Sequence, residues 1–263
     1  NYFKAKYHKH YNFSIETIEQ TLNSKTVSNR EQTATITRSG DLITNAYITL
    51  SKSTFGFSEG AIYDMIDRIE LEIGSVLIDT HYGDWNAIWS ELTTPESKVN
   101  GYRNMLIENS GSIDNSSGLI YYPLNFWFCR NPGLALPLIS LQLHEVKINI
   151  KWGTIPINTT AKLWIDYAFL DEELRKQYAG NSHEYLIEQV QRQSNNANTN
   201  SIRMYFNHPV KELIWVNSGS PDGFSLGCQF APLGNTGFSA NNGVYTPGNS
   251  DDDLNIKITL NGH

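Results

Sequence analysis

Phe126-Trp127-Phe128-Cys129-Arg130-Asn131-Pro132-Gly133-Leu134-Ala135-Leu136-Pro137-Leu138-Ile139-Ser140-Leu141-Gln142-Leu143-His144-Glu145-Val146-Lys147-Ile148 is the stretch on which the fold turns. The aromatic run Tyr121 to Phe128 predicts a strand buried on both faces. Asn131-Pro132-Gly133 ends it, because proline removes a donor and glycine admits positive φ. Leu134 to Leu143 is too apolar for an exposed loop and is expected to tuck into the core. His144, Val146, Ile148, Ile150 and Trp152 then alternate with Glu145, Lys147, Asn149 and Lys151, the pattern of a strand with one wet face.

Working outward, the 263 residues suffice for one large β domain or two smaller ones. Only 18% of them are charged, and 14 Tyr, 11 Phe and many Asn and Thr favour an all-β chain. The net charge of −7 argues against a protein that coats nucleic acid. Cys129 and Cys228 form no CxxC pair and read as free thiols from a reducing compartment. The start carries no apolar signal core, and nothing approaches the ~20 apolar residues of a membrane helix. The missing initiator Met predicts a true start upstream. The sequons at Asn12, Asn115 and Asn158 read as chance in an Asn-rich chain.

Strands are predicted at Thr33–Thr37, before the turn Ser39-Gly40-Asp41, and around Ile69, Leu71 and Ile73. Others are predicted at Leu163–Phe169, His183–Gln193 and Ser201–Phe206. Helices are few and short. Asp84 is placed to cap one whose Trp85, Ile88, Trp89 and Leu92 share a face, and Asp171-Glu172-Glu173 opens another that Gly180 closes. This predicts an antiparallel sandwich with short inserted helices. The domains expected are an arm at 1–11, a jelly roll at 12–194, a polar linker at 195–200, and at 201–263 the start of a second jelly roll. That last part holds a strand at His208–Val216, a Gly-, Ser- and Asn-rich loop and a strand at Leu254–Leu260, too little for its own core.

The opening stretch resembles the signature of the major capsid proteins of nucleocytoplasmic large DNA viruses, of iridovirus, algal-virus and giant-virus type. Phe13–Thr21 resembles that family's first strand and Thr37–Leu42 its next turn. Tyr82-Gly83-Asp84-Trp85 with Trp89-Ser90-Glu91-Leu92 resembles its helical insertion. His183–Gln191 resembles the strand closing its first barrel, and His208–Val216 the one opening its second. The resemblance implies a double jelly roll, a homotrimer of near-hexagonal outline, and capsomers that tile an icosahedral shell in the virion, assembled in host cytoplasm. It further implies contacts with minor capsid proteins and with an internal membrane through the N-terminal arm, and no direct nucleic-acid contact. The short arm and largely missing second barrel depart from the family and imply a fragment.

Side chains with chemical potential are sparse. His8-Lys9-His10 has the HxH spacing of a cupin metal site but lacks the flanking Gly and downstream Glu, so a solvated arm outweighs it. Glu70 and Glu72 share a strand face, which paired-carboxylate chemistry would use, yet that face reads as wet. Asp79, His81 and Asp84 cluster in sequence, with turn and cap duty favoured. No GxSxG, GxGxxG or GxxxxGK[ST] occurs. Tyr121, Tyr122 and Trp164 suit a sugar platform or a core, and Cys129 a buried inert thiol. The expectation is therefore a structural, non-enzymatic protein with no catalytic, cofactor or metal site. The rivals are a carbohydrate-binding jelly roll and a cupin-like metalloenzyme.

Overall fold

The computed structural model describes residues 12–51, 61–106, 119–156, 158–193 and 203–214. His8 and His10, the sequon at Asn115, Cys228, the linker at 195–200 and the strand expected at Leu254–Leu260 lie outside them.

The described strands are β1 (Phe13–Gln20), β2 (Glu31–Thr35), β3 (Leu42–Ser51), β4 (Ile66–Ile73), β5 (Val76–Tyr82), β6 (Leu119–Pro123), β7 (Leu136–Pro137), β8 (Val146–Trp152) and β9 (Thr160–Leu170). One sheet runs β1-β9-β3-β6, with β7 paired to β3, and the other runs β2-β8-β4-β5; every pairing is antiparallel. With the two-residue β7 set aside, the first strand pairs the last, the second the seventh, the third the sixth and the fourth the fifth. Successive pairs alternate between the sheets, which is the wrap of a jelly roll.

Alternation places the core as expected. On β8, Val146, Ile148, Ile150 and Trp152 are buried, and across the sandwich so are Leu163, Ile165 and Tyr167 of β9. The indole N–H of Trp152 donates to the amide oxygen Oε1 of buried Gln32 at 2.6 Å, so its burial strands no donor. Asp41, in the turn before β3, accepts from the backbone N–H of Leu170 and pairs with Arg175. That ties the turn to α5 (Glu172–Gly180), whose N-cap Asp171 accepts from Leu174 N–H at 3.0 Å.

Four expectations are corrected. The aromatic strand stops at Pro123, and Trp127–Arg130 forms a helical turn, α4. Nor is β6 buried on both faces: it buries Ile120 and Tyr122 and leaves Leu119 and Tyr121 exposed, whereas Phe126, Trp127 and Phe128 at the turn are buried in succession. The knuckle is buried only from Ala135 to Leu138, and Leu143 is 92% exposed, because Arg38 holds the chain there by donating to the carbonyls of Leu141, Gln142 and His144 at the rim. His144 accordingly faces solvent rather than continuing the inward row. Helix α2 (Gly83–Thr93) buries Gly83, Asn86, Ala87 and Ser90, leaving Trp85, Ile88 and Trp89 half-buried and Leu92 63% exposed. Close approach explains this: a Cβ on Gly83 would sit 2.0 Å from the carbonyl oxygen of Tyr63, in α1 (Ala61–Asp64), so the small-residue face goes down. Finally, His183–Gln193 and Arg203–Phe206 form neither helix nor strand and join no sheet.

In urea unfolding, Ile150→Ala should cost about 2–5 kcal/mol. Leu143→Ala, at an exposed site, should stay within about 0.5 kcal/mol. Gly83→Ala should destabilise by about 1–3 kcal/mol although it adds one methyl to a helix, since backbone lies where the methyl would go.

Candidate functional surface

The two sheets present opposite chemistry to the outside. On the sheet containing β8, the outward rows are Glu31, Lys151 and Arg68; Thr33, Asn149 and Glu70; and Thr35, Lys147 and Glu72. Arg68 pairs with Glu70 at 2.7 Å, Lys151 with Asp67 at 2.9 Å, and Asn149 donates to Glu72 at 3.3 Å. Glu70 and Glu72 thus lie on an open, charge-laced face, engaged with neighbours rather than facing each other across a cleft.

The sheet containing β9 turns aromatic and apolar groups outward. Phe13 is 66% exposed, Ile15 58%, Leu119 52% and Tyr121 40%, and half-buried Tyr47 and Trp164 lie among them. Tyr47 stacks on Trp164 with ring centroids 6.5 Å apart and planes 12° off parallel, and on its other side it meets Tyr121 at 6.3 Å. Several polar groups of this face engage one another. Asp166 accepts from Thr17 at 2.5 Å and from Asn45 at 3.3 Å, the Trp164 indole N–H donates to Thr49 at 3.0 Å, and Lys162 pairs with Glu19 at 2.9 Å. Burial, and then the Asp166 carboxylate, push the Tyr47 phenol above its ordinary range. Tyr122, one residue from Tyr121, points the other way into the core, edge-on to Tyr63, and leaves the platform.

Asp79, His81 and Asp84 are only partly brought together. Asp79 and His81 sit on β5 rather than in a turn, buried side by side with Asp79 Oδ2 2.9 Å from His81 Nε2. The His81 ring stacks on Phe126 at 4.6 Å, and Asp79 Oδ1 accepts from the backbone N–H of Val190 at 2.9 Å. Asp84 lies apart inside the first turn of α2 rather than at its N-cap, which is Tyr82; its Oδ1 accepts from the backbone N–H of Trp85 at 2.8 Å and its Oδ2 pairs with Arg192 at 2.7 Å. Among the described residues no three His, Cys, Asp or Glu side chains gather in a metal-holding group.

Sequence reasoning missed the strap that these residues anchor. The segment 183–193 is held to β5 and α2 by side-chain contacts. Gln189 donates to the Ile78 carbonyl, Glu188 bridges Arg130 and Lys211, and Arg192 lies over the Tyr82 ring at 4.7 Å. Arg130 in turn covers Trp89, which stacks on Trp85. The amides of Gln191 and Gln193 hold the backbone of Asn207 and of Arg203 and Tyr205. Charge alternation among Asp84, Arg130, Glu188, Arg192 and Lys211 was the available signal.

The profile of the family described as "Major capsid protein N-terminus" matches residues 1–171. The chain belongs to that family. It is 43% identical over 240 residues to the major capsid protein of Pyramimonas orientalis virus, covering 84% of this chain and 61% of that protein. It is 36% identical over 264 residues to capsid protein 1 of Acanthamoeba polyphaga mimivirus, covering 82% of this chain and 44% of the relative. The PBCV-1 virus capsid structure superposes with a TM-score of 0.71 at 34% identity, covering 80% of this chain and 57% of that one. The chain therefore spans about half the length of the capsid proteins it matches.

Two outcomes are expected at this surface. The hydrogen bond from Lys211, and then the Lys211 and Arg130 charges, hold the Glu188 carboxyl below its ordinary range. Its contribution to holding the strap is then complete above the ordinary glutamate range and is lost as pH falls through the depressed value. Hydrogen exchange corrected for intrinsic rates should show residues 186–193 opening on acidification before the sheets do, and Glu188→Gln should loosen them at pH 7 and blunt the acid step. Burial pushes the Cys129 thiol up to about 12. In a Cys228→Ser background, a thiol reagent at pH 8 should react only when denaturant unfolds the chain.

Proposed function

We propose that this chain forms the first part of a major capsid protein whose work is self-assembly rather than catalysis. Residues 12–194 make the first jelly roll, 195–200 a linker, and 201–263 begin a second one. Three complete chains close into a trimer of near-hexagonal outline, and these capsomers tile an icosahedral shell. Minor capsid proteins and, through the arm at 1–11, an internal membrane are its further partners. The net charge of −7 disfavours direct contact with nucleic acid. The observation that carries this reading is the 34% identical, TM-score 0.71 match to the PBCV-1 virus capsid, over a jelly roll matched by the capsid family profile.

Rigid sandwiches suit this task. Their sheets hold flat sides in fixed relation, so contacts between copies repeat with the same geometry. Light scattering on the complete gene product should give the mass of three chains, and electron microscopy should show particles with hexagonal-outline capsomers. A complete product that stays monomeric and builds no particles would refute the proposal.

A further inference from the structure

We infer that the side chains of Glu188, Gln191 and Gln193 form a clamp that fixes residues 203–211 to the first jelly roll and so sets the direction in which the chain continues. This rests on the reading of 195–200 as a linker between two jelly rolls and adds to it the device that orients the second part. In an antiparallel sheet, the N–H and C=O of one residue can both bond to a single residue opposite. The carboxamide of Gln191 plays that opposite residue for Asn207. Its Oε1 accepts from the backbone N–H of Asn207 at 2.8 Å, and its Nε2 donates to the carbonyl of the same residue at 3.1 Å. Gln193 acts likewise across a two-residue step, accepting from the N–H of Tyr205 at 3.0 Å and donating to the carbonyl of Arg203 at 2.8 Å. Glu188 completes the series on Lys211. The pairs run in antiparallel order, 193 with 203 and 205, 191 with 207, and 188 with 211. The two segments therefore share one register, which side chains carry in place of a backbone ladder.

The clamp stands on the sandwich. The Val190 N–H donates to buried Asp79 at 2.9 Å, Gln189 reaches the Ile78 carbonyl, and Arg192 pairs with Asp84 at 2.7 Å. Between two of its grips lies His208, which precedes Pro209 and has a φ of 68°. A residue with a side chain keeps such a conformation where its surroundings impose it. Here Gln191 holds the residue before His208, and Glu188 holds the third residue after it. Glu188, Gln191 and Gln193 are exposed, and exposed bonds of this kind are individually weak. The hold therefore lies in their common register, and the clamp opens at a lower free energy than the sheets beneath it. The folded first jelly roll, rather than the linker, thus decides where the chain goes after Lys211.

The test is the distance between spin labels at Thr35→Cys on β2 and at Val210→Cys, both exposed positions, measured by double electron–electron resonance. The 263-residue chain carries Cys228→Ser for this, and burial keeps Cys129 unlabelled. The expected result is one narrow distance distribution that broadens when Gln191→Ala and Gln193→Ala are combined, with the melting of the sandwich unchanged. Residue-resolved hydrogen exchange reads the grips singly. Gln191→Ala should speed exchange at Asn207 at least tenfold and more than at Tyr205, and Gln193→Ala should show the reverse preference. Gln191→Asn, one methylene too short to reach, should behave as the alanine variant. His208→Val should also open the clamp, because a β-branched residue tolerates this φ poorly. A wild-type distribution that is already broad, or a narrow one that the double variant leaves unchanged, would overturn the inference. The two readings separate in the complete gene product. A wild-type product that stays monomeric with the distance narrow sinks the capsid reading alone, whereas trimers in which the distance is broad sink the clamp alone.

Discussion

Two strands adjacent in sequence, β8 and β9, occupy the interior of the two sheets, and the rest of the molecule depends on their burial against a shared core. β8 is flanked by β2 and β4, and β9 by β1 and β3. Every second side chain on each must be apolar, and every neighbouring strand must match their register. A one-residue slip would turn Ile148, Ile150 and Trp152 to water and Lys147, Asn149 and Lys151 into the core. Trp152 sharpens the constraint, because its indole N–H must find Gln32 on β2. The pairing of β2 with β8 is thereby set by one polar bond as well as by apolar area.

Around that sandwich, the irregular parts are held by polar anchors rather than by burial. Arg38 gathers three carbonyls of the knuckle, Asp41 joins a turn to β9 and α5, and the buried Asp79–His81 pair offers an oxygen to the strap. Arg38 and Asp41 act from the turn before β3, whereas Asp79 and His81 act from within β5. Beyond α5 the chain is tied back to the sandwich by the ion pairs of Glu188 with Arg130 and of Arg192 with Asp84.

The asymmetry between the two outer faces gives this fold a direction. A jelly roll needs only its inner faces apolar, so the aromatic outer face of one sheet contributes little to folding the single chain. Tyr47, Tyr121 and Trp164 are not required to close the sandwich, since Ala46, Ile48, Tyr122, Leu163 and Ile165 already fill the space inside.

Wherever a single period governed burial, the sequence alone determined the outcome. The alternation on β8, β4 and β9 placed the core, Asp171 and Gly180 bounded α5, and the wet position of Glu70 and Glu72 followed from their strand neighbours. Tertiary structure decided the places where three dimensions compete with the period. Phe126 to Phe128 read as a strand because they are aromatic, yet the chain buries them at a helical turn against a core made by distant strands. The stripe of Trp85, Ile88, Trp89 and Leu92 read as the buried face of α2, yet the contact with Tyr63 and Ile66 demanded glycine, alanine and serine, so the tryptophans went to the rim to receive Arg130. His183–Gln193 alternates like a strand, yet it meets β5 through side chains and never joins a ladder. Periodicity reports which residues share a face; which face is covered, and how closely, depends on neighbours distant in sequence.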